Sequence, residues 1–175
     1  MATATQAPSL NKEFALCYRD LMLGDLKREM ETTRKVIEAI PDAKRDYRPD
    51  PKARSAWELA WHIVCVEVQF AEEIAEGAFK MEERYKNESK SVRDLAEWYG
   101  KNLPRALDKI KAMTADQLVH VLDFYGAFQF PAAMYLSFIA KHTIHHRGQL
   151  STYLRPMGSK IPSIYGGSAD EPWQG

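Results

Sequence analysis

The chain is short of the residues that would build the simplest alternatives to a packed bundle. It holds only two cysteines among 175 residues, Cys17 and Cys65, far apart and with no CxxC spacing. A disulfide framework and a zinc finger are therefore both unsupported, and reduced, buried thiols are expected. No charge of one sign dominates: 24 Lys+Arg balance 24 Asp+Glu. Without a global field there is no basis for concentrating nucleic acid or anionic lipid, so neither partner is expected. Long apolar runs are missing too. The most apolar stretch, residues 127–140, is interrupted by Gln129, Pro131 and Ser137 and is too short to span a bilayer. The opening MATATQAPSL lacks the basic and apolar regions of a signal peptide, and a cytoplasmic protein with no membrane contact is expected. Some catalytic spacings are also absent. There is no HExxH, and no Glu stands three residues before any histidine, which argues against a zinc-protease helix and a ferritin-like di-iron bundle. With no carboxylate assigned as a ligand, a two-histidine, one-carboxylate iron site is unsupported as well.

What is present is helical periodicity. Hydrophobic residues make up 45% of the chain, enough for one core in a chain of this length. Residues 1–11 read as a flexible tail, and residues 12–175 as one domain with an irregular C-terminal end. From Glu13 to Ile40, Phe14, Leu16, Cys17, Leu21, Leu23, Met30, Val36, Ile37 and Ile40 recur at three- and four-residue steps. Pro41 ends that helix. Ser55 and Glu58 form a capping-box pattern opening a second helix, which carries Leu59, His62, Ile63, Val66, Phe70 and Ile74 and fades near Gly77. Ser91 and Asp94 cap a third helix, in which Pro104 predicts a kink or break. Thr114 and Gln117 suggest one further turn. The segment VHVLDFYGAFQF alternates like a strand or an extended loop, with no second segment to make a sheet. Pro131 suits the first turn of the last helix, whose inward face is Tyr135, Ile139, His142, His146, Leu150 and Tyr153. Four long helices without a strand partner make an all-α four-helix bundle.

Of five histidines, His62, His142 and His146 fall on inward faces. His142 and His146 are one turn apart on one side of a helix. Together with His62 from a facing helix they can converge on one divalent cation and leave a coordination position open. The other possibility is that each ring is hydrogen-bonded separately in the core. His145 points about 60° away from His142 around the helix and reads as a packing or surface residue. His120 lies outside any stripe and reads as solvated. Glu58 is a cap that could also reach the site as an orienting group or a further ligand. Arg147 suits an ion pair, a dimer contact or a substrate anion. Gly148, costly inside a helix, suggests a close helix approach, and Gln149 a hydrogen bond across the bundle. Tyr135, Tyr153, Trp57 and Trp61 read as core or interface aromatics, while Tyr165 and Trp173 could cover the site or a partner subunit.

The run His142-Thr-Ile-His145-His146-Arg147-Gly148-Gln149-Leu150, continuing through YLRPMG and PSIYG, resembles the last helix of the DinB/YfiT-like superfamily. SAWELAWHIV, with His62, is similar to the segment that carries that superfamily's first histidine. The resemblance implies a four-helix bundle, a homodimer, and a site for nickel, zinc or a similar divalent ion (iron or manganese included) held by His62, His142 and His146. It also implies a metal-dependent transferase that activates a low-molecular-weight thiol toward an electrophilic substrate. A stress-response protein that binds metal or a small ligand without turnover, and a metal-dependent hydrolase, are the alternatives.

Overall fold

The computed structural model describes residues 9–173. Its helices are α1 (Lys12–Glu38), α2 (Ala56–Glu76), α3 (Val92–Lys111), the short α4 (Ala115–Val119) and α5 (Tyr135–Leu154). Each long helix but the last starts at a side-chain cap. The Asn11 side chain accepts from the Glu13 and Phe14 amides, so the last residue of the expected tail is the N-cap of α1. Residues 1–8 of the expected tail, and 174–175 of the expected domain, lie outside the described residues. Ser55 with Glu58, and Ser91 with Asp94, form reciprocal capping boxes, as does Thr114 with Gln117 at α4. Gly77 ends α2 at φ 79°, a conformation that favours glycine.

Four expectations need correction. The segment after α4 does form a sheet: β1 (Val121–Phe124) pairs antiparallel with β2 (Phe128–Pro131) about a turn containing Gly126 at φ 74°. The alternating run holds both strands of a hairpin, so it needs no second segment. Pro131 closes β2, and a 3-10 turn over Ala132–Met134 intervenes before α5. Cys65 is buried but Cys17 is exposed. It shares an outward stripe on α1 with Phe14 and Leu21, because Ala15, Arg19 and Leu23 hold the inward positions of that turn. Pro104 does not break α3, which runs continuously through it.

The four long helices close a bundle in which α1 and α2 each pack against both α3 and α5. The α1/α2 and α3/α5 pairs therefore sit on the diagonals. Contacts fix the directions. Trp61 meets Trp98 and Glu72 meets Lys109, so α2 and α3 are parallel. His62 meets His142 and Phe70 meets Phe138, so α2 and α5 are antiparallel. Parallel neighbours require the connecting chain to travel back along the bundle, and residues 77–91 do so. Arg84 bonds Glu72 and Glu76 near one end, while the Lys90 carbonyl accepts from Arg45 at the other. A helix of twenty residues spans about 30 Å, within the reach of an extended loop of that length. No described helix is long and apolar enough to cross a membrane.

Candidate metal centre

The antiparallel packing of α2 on α5 brings the histidine stripes face to face. His62 stands two turns into α2, and His142 and His146 stand on successive turns of α5. The His62 and His142 Nε2 atoms are 3.2 Å apart. One potential ligand atom from each of the three rings lies within 4.8 Å of the others, a group that could hold a metal ion. Ring centroids are 5.0 Å apart for His62–His142, 4.7 Å for His62–His146 and 4.5 Å for His142–His146.

All three rings are half-buried, and burial is the main influence on their protonation. It pushes His62 down to about 4 and His142 down to about 3, with Arg54 and the neighbouring rings adding to the effect. His146 is lowered for the same reason, against the opposing effect of its Gln149 hydrogen bond. The rings are therefore neutral near pH 7, the state a metal requires of imidazole. The His146 Nδ1 faces the Gln149 Oε1 at 3.1 Å. Since an amide oxygen only accepts, Nδ1 carries the proton and Nε2 keeps its lone pair. Gln149 in turn donates to the Tyr153 hydroxyl. Its bonds thus run along α5 and orient a ring, where the sequence suggested a bond across the bundle.

Glu58 is not brought into the site. Its carboxylate accepts from the Ser55 amide and from Arg48, and Arg48 holds its carboxyl below the usual range. His145 is exposed, 4.8 Å from the His146 ring, and His120 is exposed at the end of α4. Gly148 does not mark a close approach, since a Cβ there would meet nothing within 4 Å. Trp57 and Trp61 are half-buried, and Tyr135 and Tyr153 belong to the core. Trp173 is exposed.

Behind the rings lies a buried polar network that sequence reading largely missed. The hydroxyls of Tyr99 and Thr143 donate to Glu67 at 2.6 and 2.9 Å. Arg147, 1% exposed, donates to the Glu29 carboxylate, Thr33 and the Tyr165 hydroxyl. Tyr165 therefore reaches back from the tail to the core and does not cover the histidines. Of the roles open to Arg147, the structure shows the ion pair. Desolvation raises Glu67 to about 7, against the lowering effect of its two hydroxyl donors. The phase of α2 held the signal, because Glu67 follows Ile63 by one turn on the buried stripe.

The uncharacterized protein YjoA of Bacillus subtilis (strain 168) is 27% identical over 146 residues, spanning 82% of this chain and 93% of its own. YrdA of the same organism, also uncharacterized, is 24% identical over 155 residues, spanning 88% of this chain and 91% of its own. The crystal structure of YjoA, described as a DinB-like protein, matches with a TM-score of 0.70 over 82% of this chain and 97% of that one, at 24% identity. A DinB-like protein from Bacillus cereus gives the same TM-score and identity, over 82% and 95%. These two structures support the fold. The DinB family profile matches residues 11–174, and the chain, with its helical bundle and its three facing histidines, belongs to the DinB family.

Proposed function

We propose that the protein is a metal-dependent enzyme in which His62, His142 and His146 hold one divalent cation, nickel or zinc in the first place and iron or manganese as alternatives. The observation that carries this reading is the convergence of three neutral, half-buried imidazoles, two of them with nitrogens 3.2 Å apart. Buried polar rings need partners, and a shared cation satisfies all three together. The donor set fits. Imidazole suits these metals, and a tetrahedral site with bond lengths near 2.0–2.1 Å places its nitrogens about 3.3 Å apart. Gln149 supports it by fixing the tautomer of His146, as partners of ligating histidines commonly do.

The reaction proposed is transfer of a small thiol to an electrophilic carbon. A cation held there would supply Lewis-acid chemistry that favours the thiolate form of a small thiol near neutral pH. The protein's own part is positioning. Three uncharged ligands leave the cation's charge undiminished, and Val66 and Phe138 lie beside His142 on one side. Glu58 is engaged by Ser55 and Arg48. This favours an open site over the closed four-ligand site that a storage or sequestering protein would use. A hydrolase would use the same three ligands with water as its co-substrate, and it is distinguished by its product.

The test is metal analysis of tag-free protein beside His142→Ala, followed by thiol consumption with a generic electrophile. One divalent ion per chain, lost in the variant, with turnover only in the loaded protein, is the expected result. Turnover independent of metal would overturn the reading. The assembly proposed is a homodimer, and a monomer mass in light scattering would overturn that part alone.

A further inference from the structure

Large apolar side chains of the long helices turn inward, and α1 departs from this rule. Phe14 is 56% and Leu21 67% exposed, and Cys17 between them is exposed as well. On the other long helices, among the described residues, the one exposed large apolar side chain is Phe138 at 37%. Phe14, Cys17 and Leu21 share one outward stripe, which Gly24 continues for a further turn. The opposite face of the same turns is already filled by Ala15, Leu23 and Leu26, which are buried in the bundle. A helix that is apolar on two faces has two neighbours to pack against, and the bundle supplies only one of them.

The stripe is complementary to itself. Its steps, from Phe14 to Cys17 to Leu21 to Gly24, are three, four and three residues, the same in either direction. Two copies of α1 packed antiparallel about the midpoint therefore oppose Phe14 to Gly24 and Cys17 to Leu21, a large side chain against a small one in every layer. A parallel pairing would set Phe14 against Phe14 and Gly24 against Gly24. Gly24 supplies the room, since a Cβ there would meet only the Arg28 guanidinium, at 3.7 Å. The Phe14 ring, stacked on Tyr18 with centroids 5.9 Å apart, enters that notch beside Arg28 of the second copy, a cation against an aromatic ring. Charges on the flank agree. Glu13, Asp20 and Lys27 stand there at seven-residue steps, and Asp20 is held by Arg19 and Lys111. The antiparallel register brings exposed Glu13 of each copy within about 3 Å, along the axis, of exposed Lys27 of the other.

We propose that this face of α1 receives a second copy of the chain, the Phe14–Gly24 stripes of the two copies packing antiparallel about a two-fold axis. The inference rests on the reading that the protein is a homodimer, and it adds the surface and the register. Since α1 sits diagonally across the bundle from α2, each copy keeps its histidine groove clear of the contact.

The test is sedimentation velocity of the full chain in reducing buffer, from about 1 to about 100 μM, the range suited to an interface of one helix pair. Wild type should be a dimer at the upper concentration and dissociate on dilution. Leu21→Glu should weaken the dimer about a hundredfold, since each dimer loses two buried leucines. Its helical circular dichroism should match wild type, because Leu21 is exposed in the single chain. Glu13→Lys should weaken the dimer about fivefold through two exposed pairs, and Glu13→Lys with Lys27→Glu should restore it. Oxidation reads the register. Leu21→Cys, facing Cys17 of the second copy, should give disulfide-linked dimers that wild type does not form, and adding Cys17→Ser should abolish them. A wild-type monomer at the upper concentration would overturn the inference and the homodimer together. A dimer that Leu21→Glu leaves intact, that crosslinks through Cys17 alone, or that still crosslinks after Cys17→Ser would overturn the inference and leave the homodimer standing.

Discussion

Two polar clusters lie almost back to back between α2 and α5. Glu67 follows His62 by five residues, Thr143 follows His142, and Arg147 follows His146. The inner cluster supplies its own counter-charge. Arg147 meets the Glu29 carboxylate, the Tyr165 hydroxyl donates to Glu29 as it accepts from Arg147, and Glu67 accepts from two hydroxyls. The outer cluster supplies none: the His62 and His142 Nε2 atoms face each other at 3.2 Å, and no carboxylate stands in the three-ring group. Adjacent residues on one helix thus end in opposite states. Arg147 is turned inward and neutralised, while His146 is turned to a groove where a cation would complete it. Burial of polar groups by itself does not mark a functional site; here the group without a counter-charge is the half-buried one.

The comparison is broken most directly at Arg147. Arg147→Met leaves the Glu29 carboxylate buried without its cation, and about 3–5 kcal/mol of stability should be lost in urea unfolding. His142→Ala in metal-free protein should cost far less, since a half-buried neutral ring is removed, yet metal uptake should disappear. Near-equal stability losses in the two variants would abolish the distinction. A smaller change, Gln149→Leu, should weaken metal affinity about 10–100-fold by releasing the His146 tautomer, with wild-type melting in chelator as the control.

The clusters should also have opposite pH dependence. His62 and His142 are lowered to about 4 and about 3. Their contribution is full above the ordinary histidine value near 6.5 and is lost as pH falls through those lower values. Glu67 is raised to about 7 from 4.5. Its contribution is full below 4.5 and is lost as pH rises through about 7. In chelator, Glu67→Gln should flatten the fall in melting temperature between those limits, and His142→Ala should flatten the acid side. The reverse pairing would show that the charges are misassigned. The smallest effect is expected at Gly148, where open space and helical backbone predict that Gly148→Ala stabilises by up to about 1 kcal/mol. A destabilised variant would reveal a contact at that face.

Features written in neighbouring residues were legible in the sequence. The boxes Ser55/Glu58, Ser91/Asp94 and Thr114/Gln117 each span one turn, and all three form. The histidine phase was legible because a four-residue step fixes a helix face whatever that helix packs against. Features set by distant partners were not. The outward Phe14, Cys17 and Leu21 could not be told from core residues, because Arg19 takes an inward place only by donating to the Met113 carbonyl. Helix order depends on the return path of residues 77–91. Glu67 gave a phase signal, but its acceptance inside depends on Tyr99 and Thr143, 32 and 76 residues away.

The 80 residues between His62 and His142 set the order in which a metal could be acquired. A zinc finger gathers its ligands within a short segment, so the ion can direct the folding of that segment. Here the unfolded chain keeps only the His142–His146 pair together, and the third ring arrives only when α2 and α5 have docked. Closing so long a loop is an entropic expense that the apolar core must meet before any cation can bind with three ligands. During synthesis, His62 waits until α5 has been made. Cation choice would then be exercised by a finished protein against the ions around it, and loading would raise its melting temperature in proportion to the logarithm of free metal.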